Sequence, residues 1–400
     1  MPKRLLFVDD EALILSGLRR ALHGMRQEWD MQFVDSAAAA LQALDHEPFD
    51  AIISDMRMPI MDGAHLLEQV KERHPDVVRI ILSGQSNREA VFRSLSPAHQ
   101  FLSKPCDPQE LVTRLAQAFA MRDLLANQSV KTVISRMPSI PSLPILYEEL
   151  TAVLRREDFS LPQIERIIVK DVGMAAKVLQ LANSAFIGSQ GRVSSLLQAV
   201  SLIGTETVRT LVLSVNVFSR CDTNSEVAAY LPALWDHSVA AASLAQRIAR
   251  SQGCTKAVVE ESFTAGLLHD IGKVILLAEM LDKYRQILGT NTGSILSLEL
   301  EQMGCTHAQA GAYLMSIWGL PVPLVHAVAF HHSPSDTQEV QFSSLTAVHV
   351  ADAIVSAADP APLNHDIAMD LNYLDRLGLR EREAVWRSLQ EKHMFAKGKG

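Results

Sequence analysis

Five short apolar runs rich in β-branched residues, "RLLFV", "MQFV", "DAIIS", "VRIIL" and "QFLSK", fall within the first 104 residues, and nothing like them recurs afterwards. Stretches of helical period such as "AALQALDHE" and "GAHLLEQVKERH" separate them. This alternation predicts an α/β fold, a doubly wound five-stranded parallel sheet, because parallel neighbours need helical crossovers. Ligands then belong at the carboxyl ends of the strands. From 108 to 136 the chain keeps apolar residues three and four apart with no glycine or internal proline, which predicts one long helix, or two in line, joining the halves. "MPSIPSLP" (137–144) ends it with three prolines. Helical patterns alone follow, from "LPILYEELTAVLRR" through "TETVRTLVLSVNVF" and onward past 236. The expected organisation is an α/β domain over 1–120, a helical linker over 121–136, an all-α domain over 137–390 and a disordered tail over 391–400.

Composition narrows the function classes. A chain of 400 residues exceeds one ordinary core. No segment approaches the roughly 18 uninterrupted apolar residues of a membrane span, so no membrane insertion is expected. Net charge is −8, and neither a basic recognition helix nor a zinc pattern is present. DNA binding is therefore not expected. Cys106, Cys221, Cys254 and Cys305 lie far apart with no CxxC pair, as reduced structural thiols would. In "MPKRLLFVDDEA" acids interrupt the apolar run, which does not read as a signal peptide, and a cytoplasmic location is expected.

Asp9 and Asp10 end the first predicted strand and Asp55 the third, so three carboxylates crowd one site. That crowding calls for a cation, and an all-oxygen set suits Mg²⁺. Ser83 closes the fourth strand and Lys104, before a proline, the fifth. A hydroxyl and an ammonium placed there can bind phosphoryl oxygens beside a metal.

With "VDD" (8–10), "DMRMPIMDG" (55–63), "ILSG" (81–84) and "FLSKP" (101–105) in order and spacing, residues 1–120 resemble the receiver domain of two-component response regulators, a flavodoxin-like fold. The resemblance implies that Asp55 is the phosphoacceptor and that Asp9, Asp10 and Asp55 hold Mg²⁺. It further implies that Ser83 and Lys104 contact the phosphoryl group, that Phe101 is the switch aromatic, and that a cognate sensor histidine kinase is the partner. An aspartyl phosphate adds charge and strong acceptor oxygens, which draw Ser83 and Lys104 inward. A homodimer through the linker helix, driven by the apolar stripe of 108–136, is a further expectation.

The helical half sets polar residues in apolar sequence: His237, His269 with Asp270 in "GLLHDIGK", His307, the pair His331 and His332, and His349 with Asp352. Adjacent helical residues point about 100° apart, so His269 can ligate one ion while Asp270 turns to bridge two. Mixed imidazole and carboxylate suit Mn²⁺, Fe or Zn²⁺. Lys273 faces the same side as His269 and can neutralise a phosphate oxygen.

His237, His269, Asp270 and Asp352 resemble the H…HD…D signature of the HD superfamily of metal-dependent phosphohydrolases. His307, His331 and His332 follow the order of the two-metal HD-GYP branch, whose namesake run is replaced here by "HHSPSDTQEV". From "MPSIPSLPILYEEL" to "HAQAGAYLMSIWGLPVPLVHAVAFHH" the chain looks like an HDOD domain, the HD-related output domain, with Val172 where proline is usual. Two functions follow as expectations. One is a phosphorylation-controlled response regulator whose all-α HDOD domain signals by binding downstream proteins. The alternative is a receiver-regulated metallophosphohydrolase acting on a cyclic di-nucleotide or another nucleotide.

Overall fold

The computed structural model describes residues 2–83, 97–137, 139–142, 144–156, 158–184, 192–213, 219–220, 225–290, 294–358 and 368–397. Cys221 and Gly84 of the "ILSG" run lie outside them. In the first domain β1 (Lys3–Val8), β2 (Trp29–Val34), β3 (Ala51–Asp55), β4 (Val78–Ser83) and β5 (Gln100–Ser103) form one parallel sheet in the order β2-β1-β3-β4-β5. These strands are the five expected runs. Leu5, Leu6, Phe7, Ile52, Ile53, Ile80 and Ile81 are buried, since helices cover both faces, and the strands therefore read as continuously apolar. Register sets Val8 opposite Ser54, Asp55 opposite Leu82 and Ser83 opposite Ser103, which aligns the carboxyl ends.

Helices α1 (Ala12–Ala21), α2 (Ala37–His46) and α3 (Gly63–Arg73) flank the sheet. Ser36 and Asp62 cap the last two by accepting from the backbone N–H groups of Ala39 and His65. A Cβ on Gly63 would lie 2.1 Å from the Asp55 carbonyl oxygen, so glycine is what lets α3 start against the end of β3.

The linker is two helices, α4 (Pro108–Leu124) and α5 (Gln128–Arg136). They part at Leu125–Asn127, where Asn127 caps α5 through Ser129 N and donates to Met303 O at 2.8 Å. Leu111, Leu115, Ala118 and Phe119 on α4, and Val130 and Ile134 on α5, are buried within the chain. The stripe from which self-association was expected is thus covered internally.

Among the described residues the remaining regular structure is helical apart from a two-residue parallel pair, β6 (Pro141–Ser142) with β7 (Ser219–Arg220). Helices α6 (Pro144–Leu154), α7 (Leu161–Ile168), α8 (Val172–Ala182), α9 (Leu196–Ile203) and α10 (Thr205–Leu213) come first. Next are α11 (Ser225–Ser251), α12 (Lys256–Leu268), α13 (Ile271–Glu279), α14 (Leu281–Leu288), α15 (Ile295–Met303), α16 (His307–Ile317), α17 (Val322–Phe330) and α18 (Ser344–Ala358). The chain closes with α19 (Leu371–Arg376) and α20 (Glu383–Lys397), the latter reaching into the segment expected as a tail. Helix α11 lies against α12 and α18, while α16 lies against α13, α17 and the linker helix α4. Among the described residues no helix is long and apolar enough to cross a membrane.

The domains meet where β4, β5 and α4 face α16. Gln100 donates to Ser316 O at 3.1 Å and Gln117 to Leu320 O at 3.3 Å. The buried Arg114 donates to Gly319 O and Asn183 O, both at 3.3 Å. Arg79, also buried, donates to Ser135 O at 2.6 Å, and the Ser135 hydroxyl lies 3.0 Å from that of Tyr313 on α16.

Candidate functional site: an acid pocket and a histidine–carboxylate centre

The sheet brings Asp9, Asp55, Ser83 and Lys104 to one edge, as the sequence predicts. Lys104 donates to Asp9 Oδ2 at 2.7 Å and also pairs with Asp55 Oδ1. The remaining oxygens are held by backbone: Asp55 Oδ2 accepts from Arg57 N at 2.6 Å, and Asp9 Oδ1 from Glu11 N at 3.0 Å. Asp9 and Asp55 are buried, and Asp10 beside them faces solvent. Partial burial would lower the Lys104 pKa, but Asp55 and Asp9 outweigh it and hold the ammonium charged. Three carboxylates against one ammonium leave two negative charges on an oxygen-only set, which fits a hard divalent ion. Ser83 is buried at the end of β4, and Phe101 is buried one strand over.

In the helical domain all seven expected ligands converge. His237 comes from the interior of α11 and Asp352 from α18, while His269 and Asp270 form the junction of α12 and α13. His307 opens α16, and His331 and His332 follow α17. Their ligand atoms fall into two groups, His237–His269–Asp352 and Asp270–His307–His331–His332, each with its atoms within 4.8 Å of one another. In the first, His237 Nε2 lies 3.2 Å from His269 Nε2 and 3.1 Å from Asp352 Oδ1. In the second, the Nε2 atoms of His307 and His332 are 2.9 Å apart. Asp270 joins the groups: Oδ2 is 3.3 Å from His269 Nε2, and Oδ1 is 3.2 Å from His307 Nε2.

The outer ring nitrogens are anchored. His269 Nδ1 donates to Gly266 O at 2.7 Å and His331 Nδ1 to Val328 O at 2.8 Å, which turns both Nε2 atoms inward. Asp270 Oδ1, Asp352 Oδ2 and His331 Nε2 are buried with no hydrogen-bond partner. Orphaned buried acceptors of this kind are costly, and a shared cation relieves them. Burial would depress His269, but Asp270 and Asp352 override it and lift its pKa to about 10. Burial and the charge of His269 press His331 down to about 3. Neighbouring imidazoles pushed in opposite directions mark a cluster that cannot take a proton on every ring. The residues present fit a pair of divalent transition-metal ions.

Lys273, expected as a phosphate contact, is fully buried and donates to Asp270 Oδ2 at 2.7 Å, so its charge acts on the bridging carboxylate. His349 stands outside both groups, its Nε2 accepting from Asp370 N at 2.8 Å. Two participants were not anticipated. Glu299, fully buried on α15, contacts His307 Nδ1 at 2.8 Å. Gly272 lets α13 cross α16, since a Cβ there would sit 1.8 Å from His307 O.

Comparison with known proteins agrees with both halves. Residues 5–116 match the response regulator receiver domain and residues 140–334 the HDOD domain. An uncharacterized protein of Treponema pallidum (strain Nichols) is 27% identical over 205 residues, 50% of this chain and 39% of that protein. The hydrogenase transcriptional regulatory protein HoxA of Bradyrhizobium diazoefficiens is 37% identical over 116 residues, 28% of this chain and 23% of its own length. The chain thus spans between about a quarter and two-fifths of these curated relatives. Among solved structures, the MmoQ response regulator of Methylococcus capsulatus is 23% identical, with a TM-score of 0.46 over 62% of this chain and 98% of that one. A signal receiver domain of an HD domain-containing protein from Pseudomonas fluorescens Pf-5 is 30% identical, with a TM-score of 0.29 over 31% of this chain and 98% of that one. Receiver and output halves joined in one chain define a two-component signalling protein. The chain joins a receiver domain to an HDOD domain.

Proposed function

We propose that Asp55 accepts a phosphoryl group from a cognate histidine kinase and that the charge change controls the HDOD domain, which signals to downstream proteins in the cytoplasm. The observation that carries this reading is the convergence of Asp9, Asp55 and Lys104, with the face behind them seated on α16. The Asp55 carboxylate attacks phosphorus as the bond to the donor's imidazole breaks, so the ring leaves and an acyl phosphate remains. Asp9, Asp10 and Asp55 would hold Mg²⁺, which would supply neutralising charge for the phosphoryl group. Lys104 must then move from Asp55 toward the new anion, and Ser83 can donate to it. Strand β5 carries that displacement past Phe101 to Gln100, whose amide is bonded to Ser316 at the end of α16.

Asp55→Asn should abolish labelling by radioactive acetyl phosphate, because the reacting carboxylate is gone. Labelling at the wild-type level would overturn the assignment.

A second reading is favoured by the two ligand groups and their orphaned atoms: the HDOD half is a binuclear metal centre with phosphohydrolase chemistry. His237, His269 and Asp352 would hold one ion, His307, His331 and His332 the other, and Asp270 both. Metals so held would supply a nucleophilic hydroxide and a Lewis acid for a phosphodiester. Asp270 lies between the two groups, and Lys273, which donates to its Oδ2, would offset the negative charge that Asp270 brings. Elemental mass spectrometry of protein reconstituted with manganese, iron or zinc tests it. Two equivalents lost in a His269→Ala, Asp270→Ala double variant support the reading, and no bound metal in either protein removes it.

A further inference from the structure

Glu299 lies outside both ligand groups, yet its side chain has no access to solvent. Both of its oxygens are committed. Oε1 accepts from the Tyr284 hydroxyl at 2.8 Å and Oε2 from the His307 backbone N–H at 2.8 Å. The same two oxygens stand 2.9 and 2.8 Å from His307 Nδ1. A carboxylate only accepts, so the ring nitrogen facing it must carry the hydrogen. In the neutral imidazole the lone pair is then on Nε2, which points at Asp270 Oδ1, 3.2 Å away, and at His332 Nε2, 2.9 Å away. The unpartnered Nε2 of His331 lies 4.0 Å from the same Asp270 oxygen. His269 and His331 turn their outer nitrogens to neutral carbonyls, whereas His307 turns its own to an anion, which raises its basicity as a donor.

We propose that Glu299 is the positioning residue for the second metal seat: it fixes the tautomer and orientation of His307, and so makes the group of Asp270, His307, His331 and His332 competent to bind an ion. The inference rests on the metal-centre reading above and names the residue on which one of its two seats depends. Glu299 itself touches no ion. It acts through the Nδ1–H bond and, by accepting the first free N–H of α16, through the placement of that helix end.

Two measurements test it. In Glu299→Gln the amide can donate to Nδ1 and permit the opposite tautomer. Competition with a chelator should then show one Mn²⁺ equivalent bound as in wild type and the other weakened about 10- to 100-fold. Tyr284→Phe, which removes the other bond to Glu299 and leaves His307 alone, should retain both. Two equivalents held as tightly in Glu299→Gln as in wild type would overturn the proposal while the binuclear reading stands. The second measurement needs no variant and no metal. Long-range ¹⁵N–¹H spectra of histidine-labelled, metal-free wild type at alkaline pH should show His307 protonated at Nδ1. Protonation at Nε2 instead would overturn the role of Glu299, whatever the metal analysis gives.

Discussion

Gly272 shapes the candidate metal centre through its backbone, because α13 and α16 cross there with no room for a side chain. Gly272→Ala should cost about 1–3 kcal/mol by overpacking and displace His307, so urea unfolding and metal content should fall together. A normal metal complement in that variant would show that the crossing can relax. The residues of the two groups were legible as candidates, since histidines and aspartates inside apolar helices stand out. Glu299 was not: "LELEQM" holds two acids two positions apart, and nothing in the string says that Glu299 is buried while Glu301 faces solvent. A second residue effect sits at the domain contact. His99 accepts from Arg79 N through Nδ1 and lies 2.8 Å from Ser135 O through Nε2. Burial, and then the charge of Arg79, hold its pKa well below the ordinary 6.5. The unfolded chain therefore binds this proton first as the pH falls. The contribution is intact above about pH 6.5 and is lost below it, by up to about 1.4 kcal/mol per pH unit. Buried His269 and His307 shift the other way, so the comparison needed is wild type against His99→Asn. Urea unfolding at pH 8 and pH 5.5 should show the larger acid loss in wild type, and equal losses would discard the effect.

Among elements, the linker shows what periodicity can and cannot specify. Apolar spacing marked 108–136 as helical, and the structure divides it at Leu125–Asn127 because Asn127 supplies a cap and an anchor on Met303. Spacing could not say what the stripe packs against. It faces the sheet and α16 of the same chain, so light scattering on unphosphorylated protein should return a monomer mass, and a dimer would require another surface. Arg114 of α4 bonds to two carbonyls of the second domain, Gly319 O and Asn183 O. Arg114→Met would strand the Gly319 and Asn183 carbonyls, at a cost of about 1–3 kcal/mol. Two separate unfolding transitions in place of one would mark the domains as uncoupled, and an unchanged midpoint would show that water replaces the guanidinium.

At the scale of the whole molecule, both halves were legible as domains, while their contact was not, because polar residues such as Gln100 and Gln117 look like solvent-facing positions until a partner backbone is beside them. If the centre binds metal in the folded chain alone, Mn²⁺ at about a hundred times its dissociation constant should add about 2.7 kcal/mol of stability. A melting temperature indifferent to Mn²⁺ and chelator would speak against a folded-state site. One helix joins the centre to the receiver. Its eleven residues run from His307 to Ile317, a length of about 16 Å at about 1.5 Å per residue. One residue inserted midway would rotate one end against the other by about 100°, so that either His307 leaves its group or Tyr313 and Ser316 leave Ser135 of the linker and Gln100 of the receiver. Over evolutionary time, then, α16 must keep its residue count for as long as both ends are in use.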